Sequence, residues 1–121
     1  MSPIVVIGIG MLGGIGALAR FWLDRAVGRR WVRPFPYGTL TVNLTGALAL
    51  GIVIGIALKG DAYRLVGTGL IGAYTTFSTW MLETQRLAEE DERMIAARDI
   101  VISVTAGVLI AWLGEKIGAA L

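Results

Sequence analysis

Four stretches of the chain contain no charged residue and are rich in apolar side chains. They cover residues 3–19, 34–58, 65–82 and 100–114. A helix needs about 20 residues to cross the roughly 30 Å hydrocarbon core of a bilayer, and flanking residues can extend the shorter stretches to that length. The pattern predicts an all-α membrane protein, with a single transmembrane domain over residues 1–121 and four spans at about 3–23, 35–58, 65–82 and 100–119.

The composition supports a membrane setting. Hydrophobic residues make up 55% of the chain and charged residues 17%, with a mean hydropathy of +0.71; soluble domains usually carry about 25% charged residues. The basic residues flank the apolar stretches and form no single patch, so nucleic acid is not an expected partner.

The residues available for chemistry exclude most enzyme classes. The chain has no His and no Cys, and the carboxylates of Glu83, Asp99 and Glu115 fall at the edges of apolar stretches. Without a base to activate a Ser or Thr hydroxyl, we do not expect an enzyme. A small dual-topology multidrug or cation exporter stays as the alternative, although it would need an acid embedded in the membrane. A purely structural membrane subunit is the third class.

Neutral hydrogen-bond donors within the spans are the candidates for function. Asn43 lies in the middle of the second stretch, and its amide must find a partner inside the membrane. It could line a polar path, or it could join two helices by a hydrogen bond. Ser103 contributes a hydroxyl to the fourth stretch.

The third stretch carries a signal for a broken helix. Gly67, Gly69 and Gly72 lead into residues 75–80, a run poor in helix formers. Broken membrane helices expose carbonyls that can coordinate a cation. The alternative is an intact helix whose hydroxyls bond back to carbonyls one turn earlier.

Two pairs of glycines four residues apart are typical of close helix packing. These pairs are Gly10–Gly14 and Gly51–Gly55. Small residues at this spacing let two helix backbones approach each other. Glycine facing lipid is the alternative for either pair.

Three motifs together resemble the Fluc (CrcB) family of fluoride-specific ion channels. They are GGIGALAR at residues 13–20, YGTLTVNLTG at 37–46 and GAYTTFSTW at 72–80. The resemblance implies an antiparallel, dual-topology homodimer in a prokaryotic inner membrane. It also implies passive export of cytoplasmic fluoride, which gives fluoride resistance. A structural Na⁺ at the dimer centre and no organic cofactor are implied as well.

The resemblance also assigns roles to individual residues. Asn43 would donate to fluoride, and the backbone carbonyls of Gly72 and Thr75 would hold Na⁺. Trp80 stands where family members usually have a second Phe. The remaining pathway and vestibule residues that the resemblance implies are Phe77, Ser78, Thr79 and Ser103 along the fluoride pathway, and Arg20 as a vestibular or structural residue.

The distribution of basic residues bears on the implied dual topology. The connecting segments on one side hold seven Lys or Arg residues and those on the other side hold three. The positive-inside rule would then place the termini outside the cytoplasm. Either the chain still inserts both ways, or it pairs with an oppositely oriented homologue; we favour the homodimer.

Overall fold

A computed structural model describes residues 1–30 and 35–121, apart from the side chain of Ser78. The described part is helical. The long helices are α1 (Pro3–Arg30), α2 (Tyr37–Gly55) and α6 (Arg93–Ala120). Among the described residues these three are long and apolar enough to cross a membrane. Apolar stretches of this length form helices because backbone groups in hydrocarbon must hydrogen-bond within the segment.

The third apolar stretch is interrupted. Helix α3 (Gly60–Tyr63) continues into a π-helical segment (Arg64–Ile71) and then into α4 (Gly72–Tyr74). Thr75 has extended backbone angles, φ −78° and ψ 159°, and helical geometry resumes in α5 (Ser78–Glu89). The interruption falls within the run in which the sequence predicts a break. A fourth crossing would therefore have to combine both halves of this segment.

Helices α2 and α6 pack backbone against backbone. A Cβ atom added at Gly51 would lie 2.2 Å from the carbonyl oxygen of Ala111, and one at Gly55 would lie 2.2 Å from that of Glu115. From the other side, Cβ atoms at Gly114 and Gly118 would approach α2 carbonyl oxygens to 2.5 and 2.3 Å. The Gly51–Gly55 pair is therefore a close-packing pair, as predicted.

The glycines of α1 differ in whether another element of the chain packs against them. A Cβ at Gly16 would lie 2.3 Å from the carbonyl oxygen of Leu70, so α1 packs closely on the π-helical segment. Gly10 and Gly14 have nothing within 4 Å of an added Cβ. Among the described residues no other helix covers this part of α1, so the Gly10–Gly14 pair does not pack closely within the single chain, and its packing in an assembly stays a prediction.

Much of the surface is apolar. Ile4, Ile7 and Met11 on α1 are 81%, 62% and 68% exposed, and Val108 on α6 is 68% exposed. Such contiguous apolar surface is disfavoured in water, and it suits contact with lipid or with another protein.

Candidate functional site

The interruption between α4 and α5 is held by the side chain of Asn43. Its amide nitrogen donates to the carbonyl oxygen of Thr76 at 2.8 Å, and its amide oxygen accepts the N–H of Thr76 at 2.9 Å. Both backbone groups of the residue at the centre of the break are thus satisfied by one side chain from α2. The polar backbone of a break persists inside a membrane only when it is satisfied in this way.

This pair of bonds also fixes the orientation of the amide. A backbone carbonyl only accepts and a backbone N–H only donates, so the nitrogen and the oxygen of Asn43 cannot be exchanged. The amide nitrogen carries two hydrogens, and one of them is used by Thr76. The second N–H remains available to another acceptor. The interhelical bond considered from the sequence therefore exists, and it leaves a donor for a second role.

The break removes the helical hydrogen-bond donors of the two carbonyls that the family resemblance assigns to Na⁺. In a continuous helix the carbonyl of Gly72 would accept the N–H of Thr76, which here donates to Asn43. The carbonyl of Thr75 would accept the N–H of Thr79, which here donates to the hydroxyl oxygen of Thr76 at 3.2 Å. Neutral carbonyl oxygens suit a hard cation, so both residues fit the donor chemistry of a sodium site.

A cavity of about 330 Å³ opens beside the break. It brings together Asn43, Thr75, Phe77 and Trp80 from the predicted site. The other residues lining it are Gly46, Ala47, Leu50 and Thr76. None of these lining side chains carries a charge.

The two aromatic rings of the cavity meet edge to face. The ring centroids of Phe77 and Trp80 lie 5.6 Å apart at an interplanar angle of 74°. The edge of an aromatic ring is electropositive. The indole nitrogen of Trp80 is buried and has no hydrogen-bond partner among the described residues. The cavity therefore places the Asn43 side chain beside two aromatic rings whose edges are electropositive.

Close packing with α2 positions the first half of the broken segment. A Cβ at Gly46 would lie 2.2 Å from Cγ2 of Thr75. At the directly preceding residues, the hydroxyl groups of Thr45 and Tyr74 lie 2.7 Å apart, within hydrogen-bond distance. Only a residue without a side chain fits at position 46, so the second sequence motif serves this packing as well as the polar contact.

Ser103 belongs to a different polar cluster. Its hydroxyl donates to Oδ1 of Asp99 at 3.2 Å, and the hydroxyl of Thr84 lies 2.7 Å from Oδ2 of the same carboxylate. Ser103 is not among the residues that line the cavity at the break. The structure therefore does not bring Ser103 together with Asn43.

The structure shows a burial of Asp99 that the sequence does not predict. Helix α6 begins at Arg93, and Asp99 is fully buried. The uncharged stretch marks only the apolar part of this helix, whereas its charged first turns pack against α5. A similar contact joins two other elements, since the hydroxyl of Thr39 on α2 donates to Glu83 on α5. The sequence shows hydroxyls and carboxylates but not these long-range pairings.

The remaining predicted residues do not line the cavity, or their side chains lie outside the described part of the structure. Thr79 is half-buried, and its backbone N–H in the first turn of α5 donates to the hydroxyl oxygen of Thr76. The side chain of Ser78 lies outside the described part of the structure. Arg20 is half-buried, and its Nε atom is buried without a hydrogen-bond partner among the described residues.

These features define a multi-pass helical membrane protein with an uncharged cavity at a helix break, an architecture typical of channels and transporters. Comparison with known proteins agrees with this class. The family model described as "CrcB-like protein, Camphor Resistance (CrcB)" matches residues 7–115. The chain belongs to this CrcB family.

The relatives of the chain carry a common name. A protein called fluoride-specific ion channel FluC 2 from Mycobacterium tuberculosis is 58% identical over 117 residues, which cover 97% of this chain and 93% of the relative. The protein of that name from Mycolicibacterium paratuberculosis is 52% identical over 118 residues, covering 97% of both chains. The fluoride-specific ion channel FluC of a Geobacter species is 36% identical over 118 residues, covering 93% of this chain and 95% of the relative. Family membership confirms the prediction that the chain is not an enzyme, since this is a channel family.

Proposed function

We propose that this protein is a fluoride-selective channel that lets cytoplasmic fluoride leave a prokaryotic cell passively across its plasma membrane. The observation that carries the proposal is the uncharged, donor-lined cavity at the helix break, in a chain whose relatives bear the name of such channels. Nothing in the function requires a covalent step, a nucleotide or an organic cofactor. The exporter alternative is not favoured, because the relatives are named as channels.

The donors around the cavity suit a small anion that accepts hydrogen bonds. Fluoride would meet the second N–H of Asn43, the indole N–H of Trp80 and the ring edge of Phe77. Phe77 is 69% exposed in the single chain, so its ring is accessible from the surface of the protomer. No cationic side chain lines the cavity. An anion held by neutral donors is attracted without being trapped, as conduction requires.

We further propose that Thr79, Ser78 and Ser103 continue the polar route and that Arg20 serves at its vestibule. Ser103 can continue the route only if its hydroxyl hydrogen is shared between the Asp99 carboxylate and the conducted anion. The unpartnered Nε of Arg20 supports a role for this guanidinium beyond packing.

The assembly that we propose is an antiparallel, dual-topology homodimer in which each chain makes four crossings, the interrupted segment forming the third. The exposed apolar surface of α1 and α6 supports contact with a partner as well as with lipid. A structural Na⁺ would be held by the carbonyls of Gly72 and Thr75. When bound there, it would offset the partial negative charge of carbonyls that have lost their helical partners.

Fluoride release from proteoliposomes, followed with a fluoride electrode, tests the function. We expect rapid loss of fluoride and no loss of chloride. Asn43→Asp replaces both N–H donors with acceptors, so it should reduce fluoride release by about tenfold or more, because a hydrogen bond to an anion contributes about 1.5–3 kcal/mol. Gly107→Ala is the matched control, since an added Cβ at Gly107 meets nothing within 4 Å.

Two results would count against the proposal. If correctly folded wild-type protein retains fluoride, the channel function is wrong. If Asn43→Asp conducts as well as the Gly107→Ala control, the cavity at the break is not the pathway. Monodispersity on size-exclusion chromatography distinguishes a folded, inactive variant from a misfolded one.

A further inference from the structure

A second cavity lies near the end of α1, on a surface that the channel function does not use. Its volume is about 420 Å³, and it is lined by Phe21, Trp22, Arg25, Ala26 and Arg29. Residues 21, 25 and 29 follow one another at intervals of one helical turn. Two exposed aromatic side chains therefore lie directly before two exposed guanidinium groups along the same surface.

The two arginines carry positive charge that the chain does not neutralise. The guanidinium of Arg25 lies 5.8 Å from the centroid of the Phe21 ring. Among the described residues, neither Arg25 nor Arg29 forms an ion pair with a carboxylate. Asp24 is adjacent in sequence, but its side chain contacts α2, where a Cβ added at Gly38 would lie 2.0 Å from Asp24 Oδ1. The cavity thus presents two positively charged side chains to the medium around the protein.

Helix length places these cations at the level of lipid headgroups. The 28 residues of α1 extend about 42 Å at 1.5 Å per residue, whereas the hydrocarbon core is roughly 30 Å thick. Trp and Tyr side chains concentrate at the boundary of that core, so Trp22 marks the boundary on α1. Arg25 and Arg29 lie about 4.5 and 10.5 Å further along the axis, and each headgroup layer is about 5–7 Å thick. The backbone of Arg25 therefore lies within the layer, and that of Arg29 lies at its outer side, from which its long side chain can reach back.

An apolar track leads to the cavity from the membrane side. Ile15, Leu18 and Trp22 recur at helical spacing and are 56%, 52% and 64% exposed. An acyl chain can lie along this track while its headgroup reaches the arginines. The carboxyl end of a helix repels anions through its dipole, so a phosphate binds here only because two guanidinium groups overcome that repulsion.

We propose that Arg25 and Arg29 bind the phosphate of an anionic phospholipid, with Phe21 and Trp22 packing against the glycerol region and the first methylenes. Arginine suits this role because its planar guanidinium can donate two hydrogen bonds to one phosphate. The lipid is a structural ligand of the protein's periphery, distinct from the conducted ion.

Native mass spectrometry of the purified protein with phosphatidylglycerol and phosphatidylcholine tests this site. Wild-type protein should retain phosphatidylglycerol in preference to phosphatidylcholine. Arg25→Gln with Arg29→Gln should lower the affinity for phosphatidylglycerol about thirtyfold, because each basic residue near an anionic lipid surface contributes roughly a factor of five. Arg30→Gln with Arg98→Gln is the control, since it removes the same charge from exposed arginines outside the cavity.

Inorganic phosphate distinguishes a lipid site from a site for the free anion. At the lipid concentration used, it should not displace phosphatidylglycerol. Displacement by inorganic phosphate, equal retention of phosphatidylcholine, or equal loss of lipid in the two double variants would each overturn the proposal. Because lipid retention is measured without a fluoride gradient, these outcomes are independent of whether the protein conducts fluoride.

Discussion

Asn43 has two tasks at the residue scale, and they use different atoms. Its oxygen and one N–H hold the backbone of Thr76, while the second N–H is the donor that we propose for the anion. A polar side chain in the membrane is costly unless it is satisfied, so the structural bond explains why Asn43 can exist here. Loss of conduction in an Asn43 variant must therefore be interpreted together with a measure of folding.

Trp80 allows a cleaner test of the donors, because its indole nitrogen makes no hydrogen bond to the described part of the chain. Trp80→Phe removes the N–H and leaves an aromatic ring that can still meet Phe77 edge to face. We expect fluoride release to fall by about tenfold or more, because a hydrogen bond to an anion contributes about 1.5–3 kcal/mol, and Trp80→Ala to lower it further. The electrode assay used for Asn43→Asp measures both.

Trp112→Phe is the matched control for Trp80→Phe. Trp112 is 54% exposed on α6 and lies outside the cavity at the break. Unchanged conduction in Trp80→Phe would show that the ring edges and Asn43 suffice, and that the indole N–H takes no part in the pathway.

Individual residues also show where sequence analysis reaches its limit. The donor character of Asn43 and the weak helix at residues 75–80 follow from residue types alone, and the structure brings these two features together. Their partnership spans 33 residues of sequence, so it depends on how α2 packs against the third segment. The burial of Asp99 against α5 likewise cannot be predicted from hydrophobic periodicity.

At the element scale, the tightest contact is the glycine interface between α2 and α6. Gly51→Ala would place its Cβ 2.2 Å from the carbonyl oxygen of Ala111, and a backbone carbonyl cannot move aside as a flexible side chain can. We expect a loss of about 1–3 kcal/mol in the free energy of unfolding, as for other overpacked interiors. Thermal unfolding in detergent measures this as a lowered Tm.

Gly10→Ala is the control for Gly51→Ala, because it makes the same chemical change at a position with open space around the added Cβ. Its Tm should equal or slightly exceed that of the wild type, since alanine favours the helix. An equal fall in Tm for both variants would mean that the α2–α6 packing described here is wrong.

The elements themselves were only partly predictable. The apolar pattern locates the three long helices and the interrupted segment between α2 and α6, because hydrocarbon demands internally bonded backbone. Helices α1 and α6 nevertheless extend beyond the apolar stretches, to 28 residues each, because a helix does not end where the hydrocarbon does. The π-helical segment Arg64–Ile71 has no recognised sequence signal and appears only in the folded chain.

At the scale of the whole molecule, the open question is orientation. The chain contains no Cys, so single cysteines can be introduced without background. In an antiparallel homodimer, a membrane-impermeant thiol reagent applied from outside should label about half of the molecules carrying Glu90→Cys and about half of those carrying Ser2→Cys. Labelling of intact cells or sealed vesicles, compared with detergent-solubilised protein, gives these fractions.

The two positions control for each other, since the four crossings that we propose would place them on opposite sides of the membrane within one chain. Complete labelling at one position and none at the other would contradict the homodimer, and it would favour pairing with an oppositely oriented homologue. The measurement is informative because the excess of basic residues on one side favours a single orientation, whereas the homodimer needs both.

The glycine contact between α2 and α6 has a consequence for how the protein is made. Gly51 meets Ala111, and Gly55 meets Glu115, so the contact joins parts of the chain that leave the ribosome some 60 residues apart. At a synthesis rate of about 5–20 residues per second, α6 is made several seconds after α2. Each helix must therefore be stable alone in the bilayer before they associate.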